Sequence, residues 1–183
     1  TFVVVSEAAK GKMKNRKTPI ASFYANLMAF DGYYEKKWFP YTMPISDIYG
    51  LRAAFNLIAE DATLYERHAR IGSATRAAVK EAGLKLHLQS GFSNTVTVFD
   101  IPQCTDAKSI LDTMRTKYNI MLAGSFDELS GKVIRIGHMG ENARLEHMVP
   151  TLEALSATLT ELGVTLKGNL ADLFLKYYRK KEA

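Results

Sequence analysis

Gly131-Lys132-Val133-Ile134-Arg135-Ile136-Gly137-His138-Met139-Gly140 is the stretch whose reading decides the fold. It reads as a short strand between glycine turns. Side chains alternate faces along a strand, so Ile134 and Ile136 point one way and Val133 and Arg135 the other. Lys132 and His138 fall at the rims. Gly137 leaves the second face open beside the arginine. Two readings of Arg135 follow from this stretch alone. It is a solvent-facing arginine on an edge strand, as most arginines are exposed. Or it presents its planar fork to a carboxylate or phosphate.

Outward from this strand, the chain from Gly83 onward alternates short strand and helix patterns. Leu84 to Leu88 and Asn94 to Phe99 read as strands. Thr105 or Asp106 then caps a helix carrying Ile110, Leu111 and Met114. Ile120 to Ala123 is a further strand, followed by a polar loop and the strand quoted above. Asn142 is expected to cap a helix carrying Leu145, Val149, Leu152, Leu155 and Leu159, which Pro150 bends and Gly163 stops. A last amphipathic helix starts near Asn169. Paired strands with helices on one face predict an α/β fold, a two-layer sandwich with a mostly antiparallel sheet.

Upstream, Phe2 to Val5 reads as a buried-type strand and Ser6 as the cap of a short helix. An aromatic stretch from Phe23 to Tyr34 suits either a small local core or a surface packed against another subunit. In Trp38-Phe39-Pro40-Tyr41-Thr42-Met43-Pro44 the prolines hold the backbone extended. A helix follows with Ile48, Leu51, Phe55 and Ile58 on one face. Thr42 stands where that helix begins, as a cap or as part of an anion site. Thr63 to Glu66 matches a capping box for a helix running to about Ala82. The expected domain boundary lies near Asp61, dividing 1–60 from 61–183.

The composition, 47% hydrophobic and 23% charged over 183 residues, is that of an ordinary globular chain. A net charge of +5 resides mainly in Lys10 to Lys17 and Lys176 to Lys181. Neither run carries a nucleic-acid fold signature, so no nucleic-acid partner is expected. No apolar run is long enough for a membrane span, and none is expected. Lone Cys104 excludes an internal disulfide framework and fits a cytoplasmic protein. His68, His87, His138 and His147 lack zinc-ligand spacing, and His138 with Glu141 is only a weak pair, so no metal site is expected. His68 reads as a packed core histidine.

Thr42-Met-Pro-Ile-Ser-Asp-Ile-Tyr-Gly-Leu-Arg52, Ser93-Asn-Thr-Val-Thr97 and Gly131 to Gly140 together resemble the C-terminal half of class V aminotransferases. These are pyridoxal 5'-phosphate enzymes of fold type I, with alanine–glyoxylate, serine–glyoxylate and 2-aminoethylphosphonate transaminases among them. The resemblance implies that 1–60 ends a large cofactor-binding domain with its connecting helix and that 61–183 is the small domain. It implies a homodimeric parent acting on an amino acid and a 2-oxo acid. It assigns Arg135 to the substrate α-carboxylate and Thr42 to the cofactor phosphate of the neighbouring subunit. The tyrosine that assists in many relatives falls at Phe39, with Tyr41 as a possible substitute. The family's Schiff-base lysine falls upstream of Thr1, so the chain alone is expected to be inactive and not to retain the cofactor. Class V also contains lyases and desulfurases, but Cys104 precedes a helix and does not match the desulfurase cysteine loop. A non-catalytic ferredoxin-like module binding an amino acid is the alternative.

Overall fold

Two strands anchor the structure, a computed structural model that describes residues 3–180. β1 (Val96–Asp100) and β2 (Val133–Gly137) pair antiparallel, with Val98 opposite Arg135 and Phe99 opposite Ile134. The outer edge of β1 takes one further bridge, Leu86 to Phe99, and the outer edge of β2 another, Ala123 to Arg135. Backbone bonds from His87 N–H to the Val98 carbonyl (3.0 Å) and from Arg135 N–H to the Ala123 carbonyl (2.7 Å) fix these outer segments. The expected strands at 84–88 and 120–123 thus shrink to single bridges. β2 is not an edge strand: it is flanked on both sides. The Ala123 segment runs antiparallel to β2 and therefore parallel to β1, which makes a split β–α–β arrangement with β2 in the middle.

The alternation foreseen in the sequence sets the two faces. Phe99, Ile134 and Ile136 are buried against helices; Val96, Val98 and Arg135 on the opposite face are half-buried. The helical layer comprises α3 (Leu64–Glu81), α4 (Ala107–Tyr118), α5 (Leu145–Glu161) and α6 (Leu170–Arg179). It contributes Ile71, Val79, Ile110, Met114, Leu152, Leu155, Leu159 and Phe174 to one core shared with the sheet. This is the two-layer α/β sandwich with antiparallel pairing.

Helix termini show where local chemistry departs from expectation. Asp106 caps α4 by accepting from the Ser109 N–H, and Asn169 caps α6 by accepting from Ala171 and Asp172. Thr63 does not form the capping box. Its hydroxyl donates to Asp61 (2.9 Å) and accepts from the Arg67 guanidinium (3.1 Å) in place of a first-turn N–H, and its backbone is not in the extended conformation of a capping residue. Asn142 closes a 3₁₀ turn over Gly140–Asn142, and α5 starts at Leu145 with Arg144 as its N-cap. Pro150 lies within α5 without ending it.

The chain divides into two compact units, Thr1–Leu57 and Ile58–Ala183. The first holds α1 (Glu7–Lys14), capped by Ser6, a 3₁₀ turn at Leu27–Phe30 and most of α2 (Ile45–Glu60). Val3 to Val5 carry no strand, since a strand exists only by pairing and no partner segment is present among the described residues. Phe2 and Lys181 lie outside the described residues. Among the described residues no helix is long and apolar enough to cross a membrane.

Candidate carboxylate site

Arg135 is held from its own neighbourhood. Its Nε donates to the Gly124 carbonyl at 2.5 Å, and the guanidinium carbon lies 6.0 Å from the centre of the Phe126 ring. Gly124 follows directly on the Ala123 bridge, so the sheet that carries the arginine also fixes the carbonyl that orients it. Among the described residues the two terminal nitrogens have no hydrogen-bond or ion-pair partner. They remain a planar pair of donors with the spacing of a carboxylate's oxygens. Two residues on, a side chain built onto Gly137 would meet nothing within 4 Å, so the face beside the fork is open.

The acidic group on the paired strand β1, Asp100, is already neutralised. Asp100 accepts from Lys85 (2.7 Å) and His87 (2.8 Å), and the Lys85 ammonium holds its carboxyl below the usual carboxylate range, with His87 adding to the effect. Arg135 is therefore the uncompensated charge of the face, and what it can do is bind an anion.

Thr42 and Tyr41 belong to the other unit. Thr42 is exposed, three residues ahead of α2, and among the described residues its hydroxyl has no partner. Tyr41 is committed elsewhere: its hydroxyl donates to the Phe23 carbonyl (2.7 Å) and its ring stacks on Tyr24 with centroids 5.2 Å apart. Phe39 packs edge-on against Phe30 and Tyr33. The aromatic stretch thus makes local ring contacts.

Histidines secure the turn after β2. His138, placed at a rim by the sequence, is fully buried. Its Nδ1 lies 3.1 Å from the Asn94 carbonyl and its Nε2 2.9 Å from the Thr97 hydroxyl. Burial pushes the imidazole down to about 4. Nδ1 accordingly donates and Nε2 accepts. Glu141 turns away to Arg144 (2.8 Å), so it makes no pair with His138, and among the described residues no group of acidic, histidine or cysteine side chains could hold a metal. His68 is half-buried: Nδ1 lies 2.6 Å from the Leu64 carbonyl, and Nε2 accepts the Gly140 N–H at 3.1 Å.

The sequence of an uncharacterized aminotransferase of Methanocaldococcus jannaschii is 35% identical over 169 residues, covering 90% of this chain and 43% of the relative. A serine–glyoxylate aminotransferase of Arabidopsis thaliana is 38% identical over 130 residues, covering 69% of this chain and 32% of that protein. The crystal structure of a pyridoxamine–pyruvate aminotransferase from Mesorhizobium loti superposes with a TM-score of 0.85 at 30% identity, over 98% of this chain and 47% of that one. The relatives and structural neighbours of this chain are class V aminotransferases. The chain matches their C-terminal portion and spans less than half the length of these relatives. No protein-family model matches it.

Within this aminotransferase portion the sequence missed the groups that position rather than bind. The Gly124 carbonyl is a backbone acceptor and leaves no trace in residue type. The burial of His138 had one trace: Thr97 shares a strand face with Phe99, and a hydroxyl on a core face calls for a buried polar partner.

Proposed function

We propose that the chain forms the substrate-carboxylate side of an enzyme that moves an amino group between an amino acid and a 2-oxo acid. The reading includes pyridoxal 5'-phosphate as cofactor and a homodimeric, cytoplasmic parent whose domains divide near Asp61. The observation that carries it is Arg135, tethered through Nε with its two terminal nitrogens free. A bidentate pair with the α-carboxylate fixes the orientation of the α-carbon, and such charge-assisted pairs are the strong ones.

The residues present fit one part of the cofactor. An unpartnered Thr42 hydroxyl ahead of a helix start suits a phosphate, since the first N–H groups of a helix are unpaired and its dipole favours negative charge. Tyr41 fits less well, its proton being held by Phe23. Bound pyridoxal phosphate supplies the electron sink that makes an α-proton removable. The lysine that holds the cofactor must offer a neutral amine. Lys10 and Lys14 instead pair with Asp31 (2.6 and 3.1 Å), which raises the Lys10 pKa. The family resemblance matches none of Lys10, Lys12, Lys14 and Lys17 to its Schiff-base lysine, so on this reading the chain alone is inactive. Arg135 binds, while the covalent step belongs to a lysine outside these residues.

The test follows the Arg135 side-chain NH resonances of the chain during titration with pyruvate. A saturable shift is the expected result, with the accompanying shifts of the Gly124 and Ile136 backbone amides abolished in Arg135→Lys because a point charge cannot form the paired bonds. No shift up to high millimolar pyruvate overturns the site. Turnover of amino-acid and 2-oxo-acid pairs by the chain with added pyridoxal phosphate overturns the inactivity. The split β–α–β arrangement also suits an amino-acid-binding module without cofactor. Binding of pyridoxal phosphate by the full-length parent, weakened by Thr42→Val, separates the two readings.

A further inference from the structure

The turn that ends the arginine strand is closed by a bond that only an uncharged imidazole can make. Gly137 ends β2, and the chain then runs through buried His138 to Gly140, whose φ of +58° lies in the left-handed region where glycine is at ease. The Gly140 N–H donates to His68 Nε2 at 3.1 Å, across 72 residues of sequence. The other ring nitrogen is 2.6 Å from the Leu64 carbonyl one turn earlier in α3, and that contact requires Nδ1 to carry the proton. His68 is thus in a single tautomer, donor toward its own helix and acceptor toward the turn.

We propose that His68 is a positioning residue of the Arg135 carboxylate site: uncharged, it clasps Gly140 and seats the end of β2 on α3, and protonation opens the clasp. The inference rests on the reading of Arg135 as the carboxylate anchor. An imidazolium has N–H groups at both positions and accepts nothing, so a protonated His68 faces the Gly140 N–H donor to donor. The second tie of this turn, His138 to Asn94 and Thr97, is made by a buried ring whose pKa burial holds down to about 4. Protonation of His68 therefore loosens its side of the turn, while the separate bonds of His138 to Asn94 and Thr97 keep the strand in register.

The charges around the clasp are accounted for. On α3, Arg67 is paired with Asp61 (2.6 Å), and Arg76 reaches the Ser93 carbonyl (2.9 Å). In the turn, Glu141 is engaged by Arg144. His138 and Arg76 present no negative charge to His68, and Asp61 and Glu141 are each occupied by an arginine.

Proton–nitrogen NMR across pH, on the chain and on two variants, tests this. In the wild type the Gly140 amide proton is expected to move upfield on acidification with the same midpoint as the His68 ring, as its hydrogen bond is lost. His68→Ala removes that titration and weakens pyruvate binding at Arg135 about threefold to tenfold. In His68→Gln the amide oxygen still accepts the Gly140 N–H, so binding stays near wild type but no longer changes with pH. A Gly140 amide that does not follow His68 overturns the clasp. Unchanged pyruvate binding in His68→Ala overturns the positioning role and leaves Arg135 standing. Absence of pyruvate binding in the wild type removes the site and the positioning role together, whatever Gly140 does.

Discussion

The two units of this chain use similar apolar content in opposite ways. In the second, every helix of the sandwich buries a stripe, and Phe99, Ile134 and Phe174 have no exposed surface. In the first, α1 and α2 have no buried residue at all. Within α2, Phe55 is 59% and Leu57 69% exposed. A core residue gains from leaving water, and the gain scales with the apolar area removed. The second unit therefore carries its own stability, and the Arg135 site inherits rigidity from it. The first unit displays Thr42 ahead of α2, a helix whose apolar side chains contribute little to folding of the described residues. Rigid support underlies Arg135, the proposed carboxylate anchor, and Thr42, the proposed phosphate contact, lacks it.

The largest expected effect breaks or upholds this contrast directly. Phe99→Ala removes a buried ring between sheet and helices and should cost about 3–5 kcal/mol in urea unfolding. Phe55→Ala on α2 should stay within about 0.5 kcal/mol, as exposed substitutions do. A Phe55→Ala loss of several kcal/mol would show that α2 is covered in solution, and the contrast would fail.

A second difference is chemical. All four histidines lie in the second unit, at positions 68, 87, 138 and 147. His138 is buried with its ring pushed down from 6.5 to about 4. A base whose folded pKa is lowered binds protons more readily when unfolded. Its contribution is thus complete above the unfolded value near 6.5 and is lost as pH falls toward 4. The shift corresponds to about 3 kcal/mol over that window. Urea midpoints between pH 7 and pH 4 should fall accordingly in the wild type and much less in His138→Gln, relative to each protein's own value at pH 7. Near-parallel pH profiles for the two would remove His138 as the acid-sensitive group. Amide exchange should place the acid loosening in the second unit, around Asn94, Thr97 and His138, with α1 and α2 unaffected.

The same contrast explains what the sequence could convey. Strand alternation is legible at 96–100 and at 134–137, where burial on one face enforces a period of two, while Val133, expected on the Arg135 face, is buried as well. The flanking strands at 84–88 and 120–123 were overdrawn: each holds on through one bridge, and apolar residues alone do not tell how far pairing extends. Val3 to Val5 reads as a strand for its β-branched residues, yet propensity without a partner among the described residues makes no ladder. Arg135 could be singled out from its glycine and isoleucine neighbours. The Gly124 carbonyl that aims it could not, since every residue has one. The Thr63 capping box failed for a reason visible only in space, because Asp61 and Arg67 converge on the same hydroxyl.

The smallest expected effect is also the sharpest, because one substitution should change sign between the units. Glycine inside a helix costs roughly 1 kcal/mol relative to alanine. Gly50 in α2 has nothing within 4 Å of an added Cβ, so Gly50→Ala should gain that helix about 0.5–1 kcal/mol, read as increased helicity or slower amide exchange. Gly72 in α3 has the same propensity to gain but no room. An added Cβ would lie 3.2 Å from both the Cα and the carbonyl oxygen of Asn94. That backbone has little freedom to retreat, for the Asn94 carbonyl is held by His138 and the Ser93 carbonyl by Arg76. Gly72→Ala should therefore lose about 1 kcal/mol rather than gain it, the crowding outweighing the propensity. It should also disturb the Asn94 and His138 resonances while leaving α2 untouched. Stabilisation by Gly72→Ala would mean that the Asn94 segment yields, and that the turn behind Arg135 is softer than its two histidine ties imply.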